Sequence, residues 1–406
     1  MSVAKLLKDD FEVEILEKLD VIGGIARTKD VNGMAYHVNG GHCFDSKYQD
    51  VKDFVFNEIL SKDEWNYIER KAQVLFKNQW VNYPIEFSIN AIDKIDSNLA
   101  FNITKEMFSA SYEKGRNLEE WFINHFGPTL AQEYFIPYNT KIWGIDPKNM
   151  DNVWIEDEKQ MKLPVPTKEN FYYSILNKKE NCDNMVHRHF YYPKTNNQNT
   201  FIEAIGDGVR IITNYEVKNI AQENNIWIVN GEKKYDILIN TSPLDLIPNI
   251  LKNIPSEIQN YFKQLKFNKV SNIFWETDGS LDMTWGYIPD PKIGFHRISN
   301  TGCIVQPHGK FCTQEAIGVV SYEKLVEEGK KIPFLKNPLD YNVTEHAYVF
   351  FDLNYRQAKE KTIAYLNSLG LISHGRFGEW EYYNMDVCIK RSIDLAKKLM
   401  SNIQGK

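Results

Sequence analysis

An acidic residue and a glycine pair near the N-terminus have the types and spacing of a nucleotide-binding turn. Glu17 ends an extended, alternating segment, and Gly23, Gly24 and Arg27 follow it. A carboxylate at the tip of a parallel strand can accept hydrogen bonds from two ribose hydroxyls. Glycines let the backbone approach a pyrophosphate, and an arginine pairs with phosphate. These residues predict a dinucleotide site, with a surface strand and a plain glycine turn as the alternative.

Two further segments have residues suited to a flat cofactor. Gly41 precedes His42, so the backbone there can approach a ring system while the imidazole donates or accepts at its edge. Gly375 and Arg376 precede a predicted helix, whose free N-terminal amides would face an anion. The alternatives are a tight turn with a satisfied histidine and a loop that caps a terminal helix.

Single residues elsewhere have weaker signals. Trp143 lies next to a predicted helix end, where it can stack on a base or a sugar or pack in the core. Arg297 lies in a strand-like segment and faces either a cleft or solvent.

Composition excludes several classes of protein. The 406 residues are 43% hydrophobic and 25% charged, with a net charge of −6, which gives no reason to expect a general nucleic-acid binder. We see no apolar run of roughly 18 residues and no signal peptide, so we expect a cytoplasmic protein without a membrane span. Five widely spaced cysteines indicate reduced thiols and no metal site. The expected partner is a small-molecule substrate.

The elements that must position these residues predict an α/β fold. A helix over residues 2–8 and a strand over 11–17 resemble the second half of a β-α-β unit, so we expect the Gly-rich phosphate turn and the first strand to be missing upstream of Met1. We predict a discontinuous Rossmann-like cofactor domain over residues 1–89, 199–246 and 369–406. A helical, substrate-facing insertion is predicted over 90–198 and a β-rich substrate domain over 247–368.

Local periodicity predicts the remaining elements. Hairpins are expected over residues 31–42 and 72–85, and helices over 48–60 and within 90–138. Short strands are expected at 209–212, 217–220, 226–229 and 235–240, with further strands within 267–320 and 347–353. The C-terminal helix is expected over 386–400.

Four segments, taken in order, resemble a known family. GGHCFDSKYQDVKDFV, YNTKIWG, YPKTNNQNTFIEAI and GRFGEWEYYNMDVCIKRSI resemble the UDP-galactopyranose mutase branch of the FAD-dependent, amine-oxidase-like flavoproteins, a group that includes protoporphyrinogen-oxidase-like enzymes. The resemblance implies FAD as cofactor. It also implies an isomerase that acts through reduced flavin on a nucleotide sugar or another precursor of cell-surface polysaccharide.

The resemblance also implies roles for individual residues. Asn384 replaces an acid that the family sets near the flavin, and Asp45 stands where the mutases carry a second histidine. The expected catalytic residues are His42, Arg297, Arg376 and Tyr382. The expected cofactor-binding residues are Glu17, Gly23, Gly24, Arg27, Gly41, His42, Val217, Gly375, Arg376, Asn384 and Met385. The expected substrate-binding residues are Trp143, Arg297, Tyr348 and Tyr382.

One departure leaves the substrate open. The mutases carry another diphosphate-binding arginine downstream of the tryptophan, whereas the stretch WIEDEKQMKLPVP has none and contains Glu156, Asp157 and Glu158. Acidic groups disfavour a diphosphate nearby unless other cations compensate. Two alternatives therefore remain, an FAD-dependent oxidoreductase of the amine-oxidase or protoporphyrinogen-oxidase type and a truncated, inactive homologue that binds no flavin.

Overall fold

The structure is a computed structural model that describes residues 1–156, 163, 165–177 and 188–404. The strands, numbered along the chain, are β1 (Glu14–Leu16), β2 (Thr28–Val31), β3 (Met34–His37), β4 (Trp65–Glu69), β5 (Ala72–Phe76), β6 (Gln79–Asn82), β7 (His189–Pro193), β8 (Arg210–Ile212), β9 (Ile220–Glu223), β10 (Ile226–Val229), β11 (Lys233–Tyr235), β12 (Leu238–Asn240), β13 (Phe267–Thr277), β14 (Trp285–Tyr287), β15 (Arg297–Ser299), β16 (Phe311–Ile317), β17 (Leu335–Val349) and β18 (Leu371–Ser373).

The α-helices are numbered in the same way. They are α1 (Ser2–Leu7), α2 (Gln49–Asp53), α3 (Ile89–Ile95), α4 (Ser97–Phe108), α5 (Leu118–Leu130), α6 (Ile136–Trp143), α7 (Val153–Glu156), α8 (Lys168–Asn177), α9 (Asn199–Gly206), α10 (Ile247–Ile250), α11 (Ser256–Phe262), α12 (Tyr322–Gly329), α13 (Tyr355–Ser368), α14 (Gly375–Gly378) and α15 (Met385–Gln404).

Two parallel strand pairs and two helices join the ends of the chain to its middle. β1 pairs with β8, and β12 pairs with β18, each in parallel. Val13 before β1, Ile239 of β12 and Ile372 of β18 pack in one apolar cluster with residues of α1 and α15. Parallel pairs covered by helices are typical of α/β folds, and each of these two pairs joins strands that lie far apart in the sequence.

A seven-stranded mixed sheet forms the other half of the molecule, in the order β17-β13-β16-β15-β14-β5-β6. Its register places a row of polar residues side by side across five neighbouring strands. In order from β14 to β17, this polar row consists of Tyr287, Arg297, Glu315, Asn272 and Asn342. Side chains in register share one face of a sheet, so the row forms a polar strip across the sheet.

The predicted helical stretch is confirmed as helices α3 to α6. Its core is aromatic, because Phe126 and Phe122 both stack on Phe135, with ring centroids 4.2 Å and 5.0 Å apart. Trp121 is buried beside them. The division of the chain into domains stays a prediction.

Several predicted boundaries are wrong. The helix over 48–60 is α-helical only in α2 and continues as wider turns over Phe54–Ile59. The strand expected at 217–220 begins only at Ile220, the segment 235–240 splits between β11 and β12, and residues 347–349 end the long strand β17. Partner strands set the limits of the strands, and local periodicity does not contain this information.

Asp157, Glu158 and Cys182 lie outside the described residues, and so does the side chain of Glu156. The other four cysteines are free thiols. Within the described part of the chain, no helix is both long enough and apolar enough to cross a bilayer.

Candidate functional site

A cleft with an open volume of about 410 Å³ lies between the parallel strand pairs and the seven-stranded sheet. This volume is in the ordinary range for small-molecule sites. Nine of the residues predicted from the sequence line it, namely Gly23, Gly41, His42, Arg297, Tyr348, Arg376, Tyr382, Asn384 and Met385. Residues far apart in the chain thus meet in one cleft.

The other predicted residues lie outside this lining. The Glu17 carboxylate accepts a hydrogen bond from the Leu19 backbone N–H at 2.8 Å, and Arg27 donates to the Gly24 carbonyl at 2.7 Å. Both side chains therefore stabilise their own turn. Val217 packs against the main core.

Gly375 and Trp143 also lie outside the cleft lining. Gly375 is the first residue of α14 and has a left-handed backbone conformation, and its N–H donates to Glu379 at 3.2 Å. Trp143 is 3% exposed, and its ring centroid lies 6.2 Å from that of Tyr348 and 6.0 Å from that of Tyr382. Trp143 thus packs against two tyrosines that line the cleft.

Backbone groups form one end of the cleft. Gly23 has φ +102°, and a Cβ there would lie 2.8 Å from Cδ1 of Ile202, so only glycine fits this position. Met385 begins the 20-residue helix α15 in the cleft lining. The unpaired amides of a helix N-terminus favour an anion at this end.

His42 is neutral and has a defined tautomer. Burial, with smaller contributions from Arg376 and Arg297, lowers the pKa of His42 to about 4. Its Nδ1 lies 2.8 Å from the Gly40 carbonyl, which can only accept, so Nδ1 carries the proton. Nε2 is then a hydrogen-bond acceptor.

Arg297 is oriented by a buried carboxylate. Its Nε lies 3.0 Å from Glu315, a second guanidinium nitrogen also donates to that carboxylate, and the same nitrogen is 3.1 Å from the Tyr348 hydroxyl. Glu315 is fully buried and also accepts from Ser299. This two-pronged pairing fixes the plane of the guanidinium in the cleft.

Arg376 lies against a tyrosine stack. Its guanidinium is 4.4 Å from the ring centroid of Tyr382, which stacks on Tyr348 at 5.6 Å. It donates to the carbonyls of Ala347 at 2.8 Å and Tyr383 at 3.2 Å. Carbonyl oxygens and aromatic rings hold the Arg376 guanidinium without cancelling its positive charge, so this charge lies in the cleft wall.

The polar row supports the loop that carries His42. Asn272 and Asn342 donate to the Val38 carbonyl at 2.7 Å and 2.8 Å, and the Tyr36 hydroxyl contacts Asn272. A Cβ on Gly40 would lie 2.4 Å from Glu315, so the loop rests directly on the row.

Sequence reasoning missed several cleft residues. Arg70, Trp285 and Tyr287 line the cleft, as does Asn39. The side-chain oxygen of Asn39 and Nε of Arg376 are buried and find no hydrogen-bond partner among the described residues. No local motif surrounds these residues, and only the sheet register would have revealed Tyr287 as the neighbour of Arg297.

Known structures share this fold. The chain superposes on reduced UDP-galactopyranose mutase with a TM-score of 0.85 and 20% identity, covering 98% of this chain and 91% of the other. For a candidate protoporphyrinogen oxidase from Exiguobacterium sp. 255-15, the TM-score is 0.73 and the identity 10%, over 98% of this chain and 95% of the other. For a CLA-producing fatty acid isomerase from P. acnes, the TM-score is 0.65 and the identity 13%, over 98% of this chain and 95% of the other.

At these identities the likeness establishes a common fold. Sequence comparison goes further, because the family model for flavin containing amine oxidoreductases matches residues 1–293. That match spans well over half of the 406 residues. The chain belongs to the flavin containing amine oxidoreductase family.

Proposed function

We propose that this protein is an FAD-dependent mutase that acts on a nucleotide sugar while its flavin is reduced. The observation that carries the proposal is the meeting of Arg297, Arg376, Tyr348 and Tyr382 in one cleft. Two guanidiniums beside two stacked phenols suit a sugar ring joined to an anionic leaving group. The overall likeness to UDP-galactopyranose mutase supports this choice. Such an activity would supply precursors of cell-surface polysaccharide.

The cleft fits a flavin. Asn39 offers a buried acceptor and Arg376 a buried donor, neither with a partner among the described residues, and the pyrimidine edge of a flavin carries both N–H and carbonyl groups. Gly23 and the start of α15 at Met385 would hold the phosphates. Reduced FAD would supply the covalent chemistry at the anomeric carbon.

The protein's own groups have distinct tasks in this scheme. Arg297 and Arg376 would stabilise the negative charge of the departing diphosphate. Burial raises the pKa of Tyr348, so its hydroxyl stays a hydrogen-bond donor. Neutral His42 would accept a hydrogen bond at Nε2 from the cofactor or a sugar hydroxyl.

The test is a turnover assay with UDP-galactofuranose under dithionite, in which product is separated by chromatography. We expect conversion to UDP-galactopyranose only with reduced flavin, a loss of at least about tenfold in Arg297→Lys, and no change in Arg116→Gln, an exposed control. A flavin-loaded protein that has been bleached by full reduction and still leaves the sugar unconverted would rule out the mutase.

A flavin oxidoreductase acting on an amine is the second candidate. The match of residues 1–293 to the family model for flavin containing amine oxidoreductases favours it. Oxygen consumption separates the two functions, because an oxidase needs an electron acceptor in every turnover and a mutase returns its flavin unchanged.

A further inference from the structure

Lys141 lies near the end of α6, and its ammonium group meets four backbone carbonyls of a single loop. Burial lowers the pKa of Lys141 to about 8, so the side chain is still a cation at neutral pH. An ammonium can only donate, and the carbonyl dipoles all point their negative ends at it. Its Nζ lies 2.9 Å from the oxygen of Ile288, 2.5 Å from that of Asp290, 2.8 Å from that of Ile293 and 3.1 Å from that of Phe295.

The loop 288–296, which supplies these carbonyls, connects β14 with β15. Each of the two strands has three residues, and their pairing ends at Tyr287 and Arg297, just before the loop begins. Both of these residues line the cleft. Ile288 and Phe295 lie one and two positions away from this pair, so the ammonium contacts the loop where it joins the cleft wall.

Helix α6 is itself packed against two sides of the cleft. The ring centroid of Tyr138 lies 5.7 Å from that of Tyr287. The ring centroid of Trp143, at the other end of the helix, lies 6.2 Å from that of Tyr348. Lys141 lies between these two contacts in the sequence and joins the loop to a helix that already contacts the cleft tyrosines.

Other contacts hold the tip and the base of the loop. Glu328 accepts a hydrogen bond from the backbone N–H of Gly294 at 2.6 Å, near the tip. At the base, the backbone N–H of Ile288 donates to the carbonyl of His296 at 2.9 Å. Lys141 adds charge-assisted hydrogen bonds at this base, and such bonds are roughly twice as strong as neutral ones.

We propose that Lys141 is a positioning residue, whose ammonium takes the place of a bound cation among the loop carbonyls and thereby fixes Tyr287 and Arg297 in the cleft. Without the ammonium, carbonyls that converge on one point lose their shared donor, and the base of the loop is free to open toward water. The consequence for a nucleotide ligand rests on the proposed function, whereas the consequence for the loop does not.

The experiment combines hydrogen exchange, followed by mass spectrometry, with calorimetric titration of UDP. The variants are Lys141→Ala, Lys141→Met and the control Lys105→Ala, which alters an exposed lysine of α4. In both Lys141 variants we expect amides of residues 285–299 to exchange at least about tenfold faster, with other segments unchanged. We expect the affinity for UDP to fall by at least about tenfold, and the control to stay within about twofold of wild type.

Chemical rescue separates a positioning cation from a general loss of stability. Propylammonium supplies the atoms that Lys141→Ala lacks, so we expect it to restore both the slow exchange of residues 285–299 and the affinity for UDP. Propanol has a chain of the same length without the charge and should restore neither. Lys141→Met fills the same space with an uncharged side chain, so propylammonium should not rescue it.

The outcomes separate this proposal from the proposed function. Unchanged exchange of residues 285–299 in both Lys141 variants overturns the proposal, and so does faster exchange in Lys141→Ala that propylammonium does not reverse. Faster local exchange with unchanged affinity for UDP also overturns it, because the loop would then not position the cleft. If the wild-type protein does not bind UDP, the nucleotide-sugar function fails, and exchange and rescue alone decide the role of Lys141. If Lys141→Ala does not fold, Lys141→Met decides it.

Discussion

At the scale of single residues, the cleft combines a neutral imidazole with permanent cations. His42 stays neutral because it is buried near Arg297 and Arg376, and the Gly40 carbonyl selects the tautomer with the proton on Nδ1. The two arginines keep their charge through carboxylate, carbonyl and ring contacts. Acceptor and cations are therefore fixed before any ligand binds, which lowers the reorganisation needed in a reaction.

Arg376 gives a residue-scale prediction about cofactor binding. Replacing it by Gln removes a charge and the buried Nε donor, so we expect the dissociation constant for FAD to rise by about tenfold to a hundredfold. Absorbance titration with FAD measures this, with Arg376→Lys as an intermediate case. Equal affinities in Arg376→Gln and wild type would remove Arg376 from the flavin site.

Glu86 predicts a dependence of stability on pH. Its carboxyl is buried, both oxygens have no partner among the described residues, and burial raises its pKa from 4.5 to about 8. Between these values the unfolded chain releases a proton that the folded protein keeps, so the free energy of unfolding falls as pH rises.

Glu86→Gln removes this titration. We expect the variant to gain a few kcal/mol relative to wild type between about pH 5 and about pH 8, since each pKa unit is worth about 1.4 kcal/mol. Urea denaturation at both pH values measures the difference, with the exposed Glu64→Gln as control. A constant difference between variant and wild type would contradict the buried, protonated carboxyl.

At the scale of elements, the polar row positions the His42 loop. The Val38 carbonyl accepts from Asn272, Asn342 and Thr344, while Asn272 also contacts the Tyr36 hydroxyl. Asn272 thus links the polar row to both the His42 loop and β3, whereas Asn342 only repeats the hydrogen bond to the Val38 carbonyl.

This difference predicts unequal effects for two similar substitutions. Asn272→Ala removes the hydrogen-bond partner of the buried Tyr36 hydroxyl. We therefore expect a loss of about 2–4 kcal/mol in the free energy of unfolding and weaker FAD binding. Asn342→Ala should lose less than about 1 kcal/mol, because Asn272 and Thr344 still donate to Val38. Denaturant titration of both variants measures the two losses. A larger loss in Asn342→Ala than in Asn272→Ala would show that Asn272 is not the main support of the His42 loop.

At the scale of the whole molecule, separate parts of the chain close on one cleft. Gly23 comes from the N-terminal part, Ile202 from the middle and Met385 from the C-terminal helix, and all three line the cleft. A ligand that bridges these segments stabilises their assembly, because it binds the folded state alone.

We therefore expect FAD to stabilise the protein against heat. A concentration of FAD about 100-fold above its dissociation constant should add about 2.7 kcal/mol to the free energy of unfolding. Riboflavin has no nucleotide half and should raise the melting temperature less at the same concentration. Differential scanning calorimetry measures both shifts. Equal shifts would show that the Gly23 and α15 end contributes nothing to binding.

The local sequence by itself determined those features that depend only on residues close to one another in the chain. The hairpins, the helices of the insertion, the glycine turns and the C-terminal helix depend on short-range periodicity and backbone freedom, and the family resemblance rested on four such segments. Gly23, His42 and Arg376 were found for this reason. Glu17 and Arg27 were found by the same rules, yet the structure uses their side chains within their own turn.

Tertiary structure alone decided the rest. Glu315 beneath Arg297, Arg70 against Tyr287 and the five-residue polar row depend on which strands pair and in which register. Strand pairing is a contact between distant parts of the chain, and a shift of one residue would turn these side chains to the opposite face. The sequence by itself identified a flavin-type fold and part of its cleft, while the register of the sheet selected the charged side chains that line this cleft.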